Sequence, residues 1–335
     1  MRRLAALAAA TLLLLTGTAY AGPSRVPAPV RADPGAPVLS GDLRTHDPAL
    51  IRDGRDWYVF STGDPAVAGG AVQVRRSTDG KHWTSAGTVF NSIPAWLRTE
   101  VPGVSNLWAP EIIKHAGTFY LYYSASTFGS NRSAIALATN TTLNPSDPAY
   151  RWVDRGLVHR SVSTDDYNAI DPGVVTDHKG VPWMSLGSFW SGIRMIRLQW
   201  PSGLAAPGQG APLRLAGGRP SPNAIEAPYV VRRGSWYYLF VSFDFCCRGS
   251  DSTYKIAVGR SRSVSGPYVD RLGKPMLQGG GTVILSGSGS MAGPGGQSVY
   301  GDWLAHHYYD TQAGGDFRLG LRRITWGADG WPRVT

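Results

Sequence analysis

A unit of about 60 residues recurs five times in this 335-residue chain, and the recurrence limits the possible folds more than any other feature. Each copy contains a proline, a short apolar strand, a polar turn and then an aromatic-rich strand. The anchor prolines stand 56 to 66 residues apart, at Pro48, Pro110, Pro172, Pro228 and Pro294. A repeat of this kind is typical of small sheets arranged around an axis.

The apolar residues of each copy alternate with period two, and no segment shows the 3.6-residue period of a long helix. First strands are predicted near residues 49–51, 111–113, 174–175, 229–231 and 298–299. Second strands are predicted at 57–60, 119–123, 182–186, 236–240 and 303–309, and third strands at 72–74, 134–137, 193–198, 254–258 and 317–321. The weaker fourth strands are predicted at 89–90, 157–158, 213–215 and 283–284.

One four-stranded sheet cannot bury both of its faces, so repeated sheets stack against one another. The sequence therefore predicts an all-β protein over residues 39–335, a five-bladed β-propeller with four-stranded antiparallel blades around a central axis. High glycine (42) and proline (24) content agrees with many turns. An open β-sandwich is the alternative fold, but it does not require a fivefold repeat.

Residues 1–21 resemble a secretory signal peptide: Arg2 and Arg3 precede an apolar run at residues 4–15, and Ala19-Tyr20-Ala21 offers a cleavage site. A transmembrane anchor is the alternative, but the apolar run is short for a span. We therefore expect secretion to the extracellular space without a membrane association. Residues 22–38 form a Pro/Ala-rich leader.

The formal net charge is +10, and losing two arginines with the signal peptide leaves +8. No element combines clustered Lys/Arg with aromatic residues, so we do not expect a nucleic-acid partner. The charge fits attraction to an acidic polymer such as pectin, or simple solubility. The two cysteines, Cys246 and Cys247, are adjacent, and the sequence leaves open a strained disulfide or two buried thiols.

Carboxylates stand before three of the anchor prolines: Asp47, Asp171 and Glu226. In a propeller the inner strands begin at one mouth of the central tunnel, so these acids converge there. Converging like charges raise the pKa of at least one member. Glycosidic cleavage needs such a pair, one protonated acid for the leaving oxygen and one carboxylate for water. The alternative is that each acid only caps its own turn.

Several motifs together are similar to the arabinanases of glycoside hydrolase family 43, and the similarity runs from about residue 40 to 326. They are His46-Asp47-Pro48, Trp108-Ala-Pro-Glu111, Asn168-Ala-Ile-Asp171-Pro-Gly173, Gly187-Ser-Phe-Trp-Ser-Gly192, Ile225-Glu226-Ala-Pro-Tyr229 and His307-Tyr-Tyr-Asp310.

The resemblance implies a monomeric enzyme without an organic cofactor that hydrolyses α-1,5-linked arabinan by inversion, with endo action as our expectation. Asp47 would be the general base and Glu226 the general acid. Asp171 would orient Glu226 and raise its pKa. Glu111 follows its proline rather than preceding it, so we do not expect it to be catalytic.

The resemblance also implies substrate contacts. Besides Asp47 and Asp171, they are Trp108, Ala136, Asn168, Ala169, Ile170, Ser188, Phe189 and Trp190. Aromatic residues among these could stack on sugars, although packing between blades is their alternative role. Ala136 departs from the glycine usual in the family.

For His307 the resemblance implies a metal ligand near the propeller centre, commonly for calcium. Calcium prefers oxygen, so water would supply most of its ligands, or another ion would bind. Without the resemblance, a packed core histidine is the simpler interpretation. Gly296 stands where the family usually carries a histidine.

Other activities on the same scaffold remain alternatives: exo-arabinanase, arabinofuranosidase and β-xylosidase. Retaining fructan hydrolases share five blades, but their Asn-Asp-Pro motif is replaced here by His46-Asp47-Pro48. A non-catalytic glycan-binding propeller is the alternative outside the enzymes.

Overall fold

The computed structural model describes residues 36–335, and the predicted signal peptide and most of the predicted leader lie outside them. Five sheets make up the described part, each built from one uninterrupted stretch of chain. We call them blades one to five in chain order, and together they form a five-bladed β-propeller. Within residues 36–335 no helix has the length and apolarity needed to cross a membrane.

Apart from the short β1 of blade one, the strands of each blade run antiparallel to their neighbours. Blade one contains β1 (Ser40–Gly41), β2 (Ala49–Asp53), β3 (Asp56–Ser61), β4 (Gln73–Ser77) and β5 (His82–Thr88). Blade two contains β6 (Leu107–His115), β7 (Thr118–Ala125), β8 (Ser133–Asn140) and β9 (Val153–Ser161). Blade three contains β10 (Gly173–Thr176), β11 (Pro182–Leu186), β12 (Ile193–Arg197) and β13 (Leu213–Ala216).

Blade four contains β14 (Ile225–Arg233), β15 (Trp236–Phe243), β16 (Lys255–Ser261) and β17 (Thr282–Leu285). Blade five contains β18 (Met291–Tyr300), β19 (Trp303–Asp310), β20 (Asp316–Trp326) and β21 (Pro332–Val334). One short α-helix, α1 (Ala95–Glu100), joins the first two blades. Short 3-10 helices occupy Ala68–Gly70, Gly249–Asp251, Met276–Gln278 and Thr311–Ala313.

The structure confirms the predicted fold and corrects two local predictions. The first concerns the fourth strand of blade one, which ends at Thr88 rather than covering residues 89–90. Only Trp83 of this strand is a large apolar residue, so its alternation was too weak to detect. A further difference is that β1 adds a short fifth strand to this blade, parallel to β5.

The second correction concerns the anchor of blade five. A bulge in β18 separates Gly295 from Ser298, and Ser298 pairs with Ala305. In blade two the corresponding bulge brings Glu111, the residue after the anchor proline, into register with Tyr122. Gln297 therefore occupies the anchor position, and Pro294 lies one bulge earlier on the same strand. Alignment on proline alone could not reveal this shift.

Packing of side chains between blades forms the core. At the closure of the ring, Leu50 and Val59 of blade one pack in one buried cluster with Ala305, Leu319 and Leu321 of blade five. A backbone hydrogen bond from Leu319 N to Leu43 O, 2.8 Å long, crosses the same junction. No strand of one blade joins the sheet of another in the described chain. Closure therefore depends on these inter-blade contacts.

Candidate active site

The inner strand of every blade bends at its mouth end into a left-handed backbone conformation. The residues at these bends, with their φ angles, are Asp47 (51°), Ala109 (40°), Asp171 (58°), Ala227 (50°) and Gly296 (58°). Four are not glycine, and such residues adopt positive φ only where their surroundings hold them there. The bends give the side chains at the mouth their direction.

A hydrogen bond from the preceding blade in the ring holds each bend. The backbone N–H donors and their acceptors are Ala109 to Thr62 Oγ1 (2.9 Å), Asp171 to Ser124 Oγ (3.0 Å), Ala227 to Asp171 Oδ2 (3.0 Å), Gly296 to Ser242 Oγ (3.0 Å) and Asp47 to His307 Nδ1 (3.1 Å). Together they form a continuous ring of inter-blade bonds around the axis. The ring fixes the relative positions of side chains that are distant in sequence.

A narrow cavity of about 30 Å³ lies on the axis inside this ring. Its lining residues are Asp47, Pro48, Ala109, Pro110, Glu111, Asp171, Pro172, Ala227, Pro228, Tyr229, Gly296, Gln297 and Ser298. Two of the three candidate acids thus reach the axis, together with Glu111. Burial raises the pKa of Glu111 to about 8, so this residue is neutral at neutral pH.

Two hydrogen-bonding side chains and the ring of His307 surround the carboxylate of Asp47. Thr62 Oγ1 donates to Oδ2 at 2.7 Å, and His46 Nδ1 lies 2.8 Å from the same oxygen. His307 Nδ1 lies 3.5 Å from Oδ1. Burial acts to raise the pKa of Asp47, but His46, His307 and Thr62 outweigh it and hold this pKa below its ordinary value. Asp47 is therefore ionised across the working pH range of most enzymes.

Glu226 and Asp171 have the opposite electrostatic environment. Glu226 is buried, and its Oε2 accepts a 2.5 Å hydrogen bond from Ser188 Oγ. Burial, opposed by Ser188 and supported by the charge of Asp47, raises the pKa of Glu226 to about 7. Burial, Glu226 and Asp47 raise the pKa of Asp171 well above its ordinary value. The Glu226–Asp171 pair therefore retains a proton at neutral pH.

The three acids thus separate into one ionised carboxylate, from blade one, and one protonated pair, from blades three and four. Different protonation states in neighbouring carboxyl groups are the arrangement required for combined acid and base catalysis. The arrangement can donate a proton to a leaving oxygen and accept one from water.

The predicted substrate residues fall into two groups. Trp190 is the most exposed of them at 39%, Trp108 and Phe189 are partly exposed, and Phe189 and Trp190 have positive φ. The buried group comprises Asn168, Ala169, Ile170 and Ser188. Asn168 accepts a 2.7 Å hydrogen bond from Ser133 Oγ, which shows that its side chain also fixes the blade interior.

Ala136 lies apart from this group. It sits in the middle of β8 with no exposed surface, in the apolar core of blades one and two. Its side chain cannot touch a bound sugar in this structure. The burial of Ala136 therefore gives no support to the predicted sugar contact at this position.

The surroundings of His307 fit an ion or an ordered water. Its Nε2 is buried without a hydrogen-bond partner among the described residues. Ligand atoms of His46, Asp47 and His307 lie within 4.8 Å of one another. While Nδ1 accepts from Asp47 N, the ring proton lies on Nε2 and can be donated to an ordered water. An ion at Nε2 would instead require the proton on Nδ1, facing Asp47 Oδ1 at 3.5 Å in place of the bond from Asp47 N. One nitrogen and one carboxylate are few ligands for calcium, so water would complete the shell.

Gly296 has no room for the histidine that the family resemblance suggests. A Cβ atom here would come within 2.4 Å of Asp47 Oδ1 and 2.7 Å of the His307 ring. The positive φ of Gly296 also disfavours any other residue. In this chain the imidazole of His307 and the carboxylate of Asp47 fill the space instead.

Sequence reasoning missed three polar residues around Asp47: Thr62, His46 and Tyr309. Tyr309 lies 2.9 Å from His46 Nε2, and the His46 and His307 rings stack with centroids 3.7 Å apart. His46 precedes a candidate acid, and Tyr309 lies in a quoted motif. Neither signal indicates that residues separated by more than 260 positions are in contact.

Comparison with known proteins agrees with this geometry. The family model described as glycosyl hydrolases family 43 matches residues 34–332. An extracellular endo-α-(1→5)-L-arabinanase of Bacillus subtilis is 43% identical over 290 residues, which is 86% of either chain. An extracellular exo-α-(1→5)-L-arabinofuranosidase of Cellvibrio japonicus is 39% identical over 305 residues, again 86% of either chain.

Among solved structures, a family 43 endo-arabinanase from Bacillus licheniformis superposes with a TM-score of 0.83 at 43% identity. The match covers 89% of this chain and 99% of that one. The similarity therefore includes all five blades and the mouth at which the acids meet.

Proposed function

Because the chain belongs to family 43 of the glycosyl hydrolases and is therefore a glycoside hydrolase, we propose that it cleaves α-1,5-L-arabinofuranosidic bonds in arabinan, the side chains of pectin. The observation that carries this proposal is the separation of protonation states between Asp47 and Glu226. Relatives named as arabinanases supply the substrate class.

The proposed reaction is a single displacement with inversion. Asp47 takes a proton from a water molecule as the water oxygen bonds to the anomeric carbon. Glu226 gives its proton to the leaving O5 oxygen as the glycosidic bond breaks. Asp171, whose Oδ2 accepts from the N–H of Ala227 beside Glu226, would orient Glu226 and help to keep it protonated until that step. Each turnover leaves Asp47 protonated and Glu226 ionised, and exchange with solvent restores both.

We assign sugar contacts first to the partly exposed aromatic residues Trp108, Phe189 and Trp190. Their faces can stack on furanose rings at the mouth. Asn168, Ala169, Ile170 and Ser188 are buried, and we assign them to the wall that shapes the site. Ser188 acts through its hydrogen bond to Glu226.

The first experiment follows the release of reducing ends from linear arabinan. Wild type should release sugars, whereas Glu226→Gln should lose at least about a hundredfold in kcat, because the general acid is gone. Glu111→Gln is the matched control, since it alters a buried carboxyl group that is already neutral and should leave kcat unchanged.

The lengths of the products test the mode of action. We propose endo cleavage, which gives a ladder of oligomers from the start. The exo-acting relative at 39% identity supports the alternative, a single short product. Turnover on xylan alone would indicate a β-xylosidase. Tight arabinan binding without turnover would contradict the enzyme proposal and favour a glycan-binding propeller.

We also propose one calcium ion, or another ion, at His307, with Asp47 nearby and water as the remaining ligands. When bound, the ion would supply positive charge that orders the water shell beside Asp47. Chelation should then lower the melting temperature of wild type by a few degrees and leave His307→Ala unchanged. An equal response in both proteins, or none in either, would remove the ion from the proposal.

Extracellular relatives and the sequence of residues 1–21 support secretion of this enzyme after removal of that segment. Its basic charge would favour contact with acidic pectin. We propose that it acts as a monomer. Sedimentation of the secreted protein gives its mass, and N-terminal sequencing shows whether the chain begins at Gly22.

A further inference from the structure

The two adjacent cysteines, whose state the sequence left open, form a disulfide in the structure. They lie in the loop between β15 and β16, on the mouth side of blade four. Cys246 is partly exposed and Cys247 is exposed, so a reagent in solution can reach the bond. The proposed reaction gives this disulfide no role.

Cys247 connects the disulfide to blade five. Its backbone N–H donates to the Tyr309 hydroxyl oxygen at 2.8 Å, and its Sγ lies 3.9 Å from His46 Nε2. The residue has a φ of +64°, a conformation that a cysteine adopts only under constraint. The disulfide to its neighbour is one such constraint, because it ties the two side chains together.

The contacts continue from Tyr309 to the candidate base. The Tyr309 hydroxyl lies 2.9 Å from His46 Nε2, and His46 Nδ1 lies 2.8 Å from Asp47 Oδ2. A carboxylate only accepts hydrogen bonds, so Nδ1 carries the ring proton. In the neutral ring Nε2 then accepts the hydroxyl proton of Tyr309, whose oxygen is left to accept from Cys247. Every donor in the series therefore has an acceptor.

The base of the loop is held separately from its tip. Asp244 forms ion pairs with Arg219 and Lys255 at 2.6 and 2.7 Å. Across the loop, Thr253 N donates to Phe245 O at 2.9 Å, and Phe245 N donates to Thr253 Oγ1 at 3.3 Å. Opening the disulfide would therefore release the tip at Cys247 while the base of the loop stays attached to blade four.

We propose that the Cys246–Cys247 disulfide, Tyr309 and His46 form one positioning chain that holds Asp47 in place for base catalysis. The enzyme then works at its full rate only while the disulfide is intact. The inference rests on the proposed function, since it takes Asp47 as the base. The members of the chain act through Asp47 and do not themselves touch the reacting atoms.

Reduction by a dithiol breaks this chain at its outer end. The dithiol supplies two electrons and two protons, the S–S bond becomes two thiols, and the dithiol closes to its own cyclic disulfide. Cys247 can then leave the left-handed conformation, and its N–H moves away from Tyr309. The Tyr309 hydroxyl loses a donor, and His46 gains rotational freedom beside Asp47.

The test compares kcat and KM on linear arabinan for oxidised and dithiothreitol-reduced protein. We expect reduction to lower kcat about three- to tenfold, with KM changed less than about twofold. Tyr309→Phe should show the same loss, and reducing this variant should add less than about a twofold further effect. The double variant Cys246→Ser/Cys247→Ser should have the kcat of reduced wild type, and the dithiol should not change this kcat.

Tyr120→Phe is the matched control. It likewise removes a tyrosine hydroxyl that is hydrogen-bonded to the backbone, here to the carbonyl of Pro201. Tyr120 lies near the start of β7, away from the mouth. This variant should keep the wild-type kcat and the full response to the dithiol. Multiplicative losses in reduced Tyr309→Phe would show independent effects and overturn the positioning chain.

A second readout does not depend on turnover. NMR of the His46 ring nitrogens in the intact protein should show a proton on Nδ1, and both reduction and Tyr309→Phe should shift the Nε2 signal. If wild type cleaves no arabinan while these shifts occur, the proposed function fails and the positioning chain stands. If arabinan is cleaved but reduction changes neither kcat nor the ring signals, the positioning chain is wrong.

Discussion

At the scale of single residues, the site depends on one carboxylate whose pKa is lowered and one whose pKa is raised. Hydrogen-bond donors around Asp47 favour its charged form, whereas burial of Glu226 favours its neutral form. The contrast comes from the surroundings of each acid, because both are carboxyl groups with similar ordinary pKa values.

The raised pKa of Glu226 predicts the alkaline limit of activity. Glu226 must be protonated to act as an acid, and its pKa lies at about 7. We therefore expect kcat to fall about tenfold per pH unit above that value. Initial rates between pH 5 and 9 would test this, and a rate that stays flat to pH 9 would contradict the assignment.

The same pKa affects folding stability with a defined sign. Between pH 4.5, the ordinary pKa, and about 7, folded Glu226 holds a proton that the unfolded chain has lost. The stability from this neutral group is full below that range and disappears as pH rises through 7. In wild type, Glu226 should account for a fall of at most about 3 kcal/mol in the free energy of unfolding between pH 4.5 and 8. Urea denaturation of Glu226→Gln should show a pH-dependent fall that is smaller by this amount.

The three acids could be predicted from the sequence because they repeat in register with the blade unit. Their partners could not be predicted, since Thr62, His46 and Tyr309 are ordinary polar residues whose contacts arise only when the ring closes. The offset of Gly296 from Pro294 was hidden for a similar reason: a bulge changes register without changing the composition of the strand.

At the scale of the strand, the important element is the left-handed bend at the mouth end of each inner strand. Each bend is stabilised from outside its own sheet by one polar side chain, or by one imidazole in blade five. The strand pattern was predictable from alternation and turn residues. The bends were not, because alanine rarely adopts positive φ and an aspartate before proline is equally typical of an ordinary turn.

Substitutions of Thr62 test how far the bend at Ala109 in blade two depends on blade one. The Thr62 hydroxyl donates to Asp47 and accepts from Ala109 N, so Thr62→Val leaves a partly buried N–H without this partner. We expect a loss of about 1–3 kcal/mol in the free energy of unfolding and a lower kcat. Thr62→Ser keeps the hydroxyl and should retain most of both quantities. Equal behaviour of the Val and Ser variants in denaturation and rate assays would contradict this role.

At the scale of the whole molecule, closure of the ring determines whether a site exists. The base comes from blade one, Asp171 from blade three and the acid from blade four. The five blades were predictable from the repeat, whereas the closing contacts between blades five and one were not. They involve Leu43, Leu50 and Leu319, which the strand pattern does not distinguish from other apolar residues.

Leu319→Ala should weaken this junction. Leu319 is fully buried at the closure, and truncating such a leucine costs about 2–5 kcal/mol. We expect guanidinium denaturation to show that loss, with activity lost over the same range of denaturant. Leu272→Ala is the control, because Leu272 is 94% exposed and its truncation should change neither. If Leu319→Ala is as stable as this control, the contacts of Leu319 do not stabilise the closure of the ring.

Each blade is one unbroken stretch of chain, and this has a consequence for cutting the protein. A break in the loop between β13 and β14 would leave every sheet whole on one side or the other. The first fragment would contain Asp47 and Asp171, and the second would contain Glu226. Neither fragment alone would hold both an acid and a base. Hydrolysis would occur only after the two fragments associate. A propeller cut at this loop could therefore serve as a split reporter of association between two fused proteins.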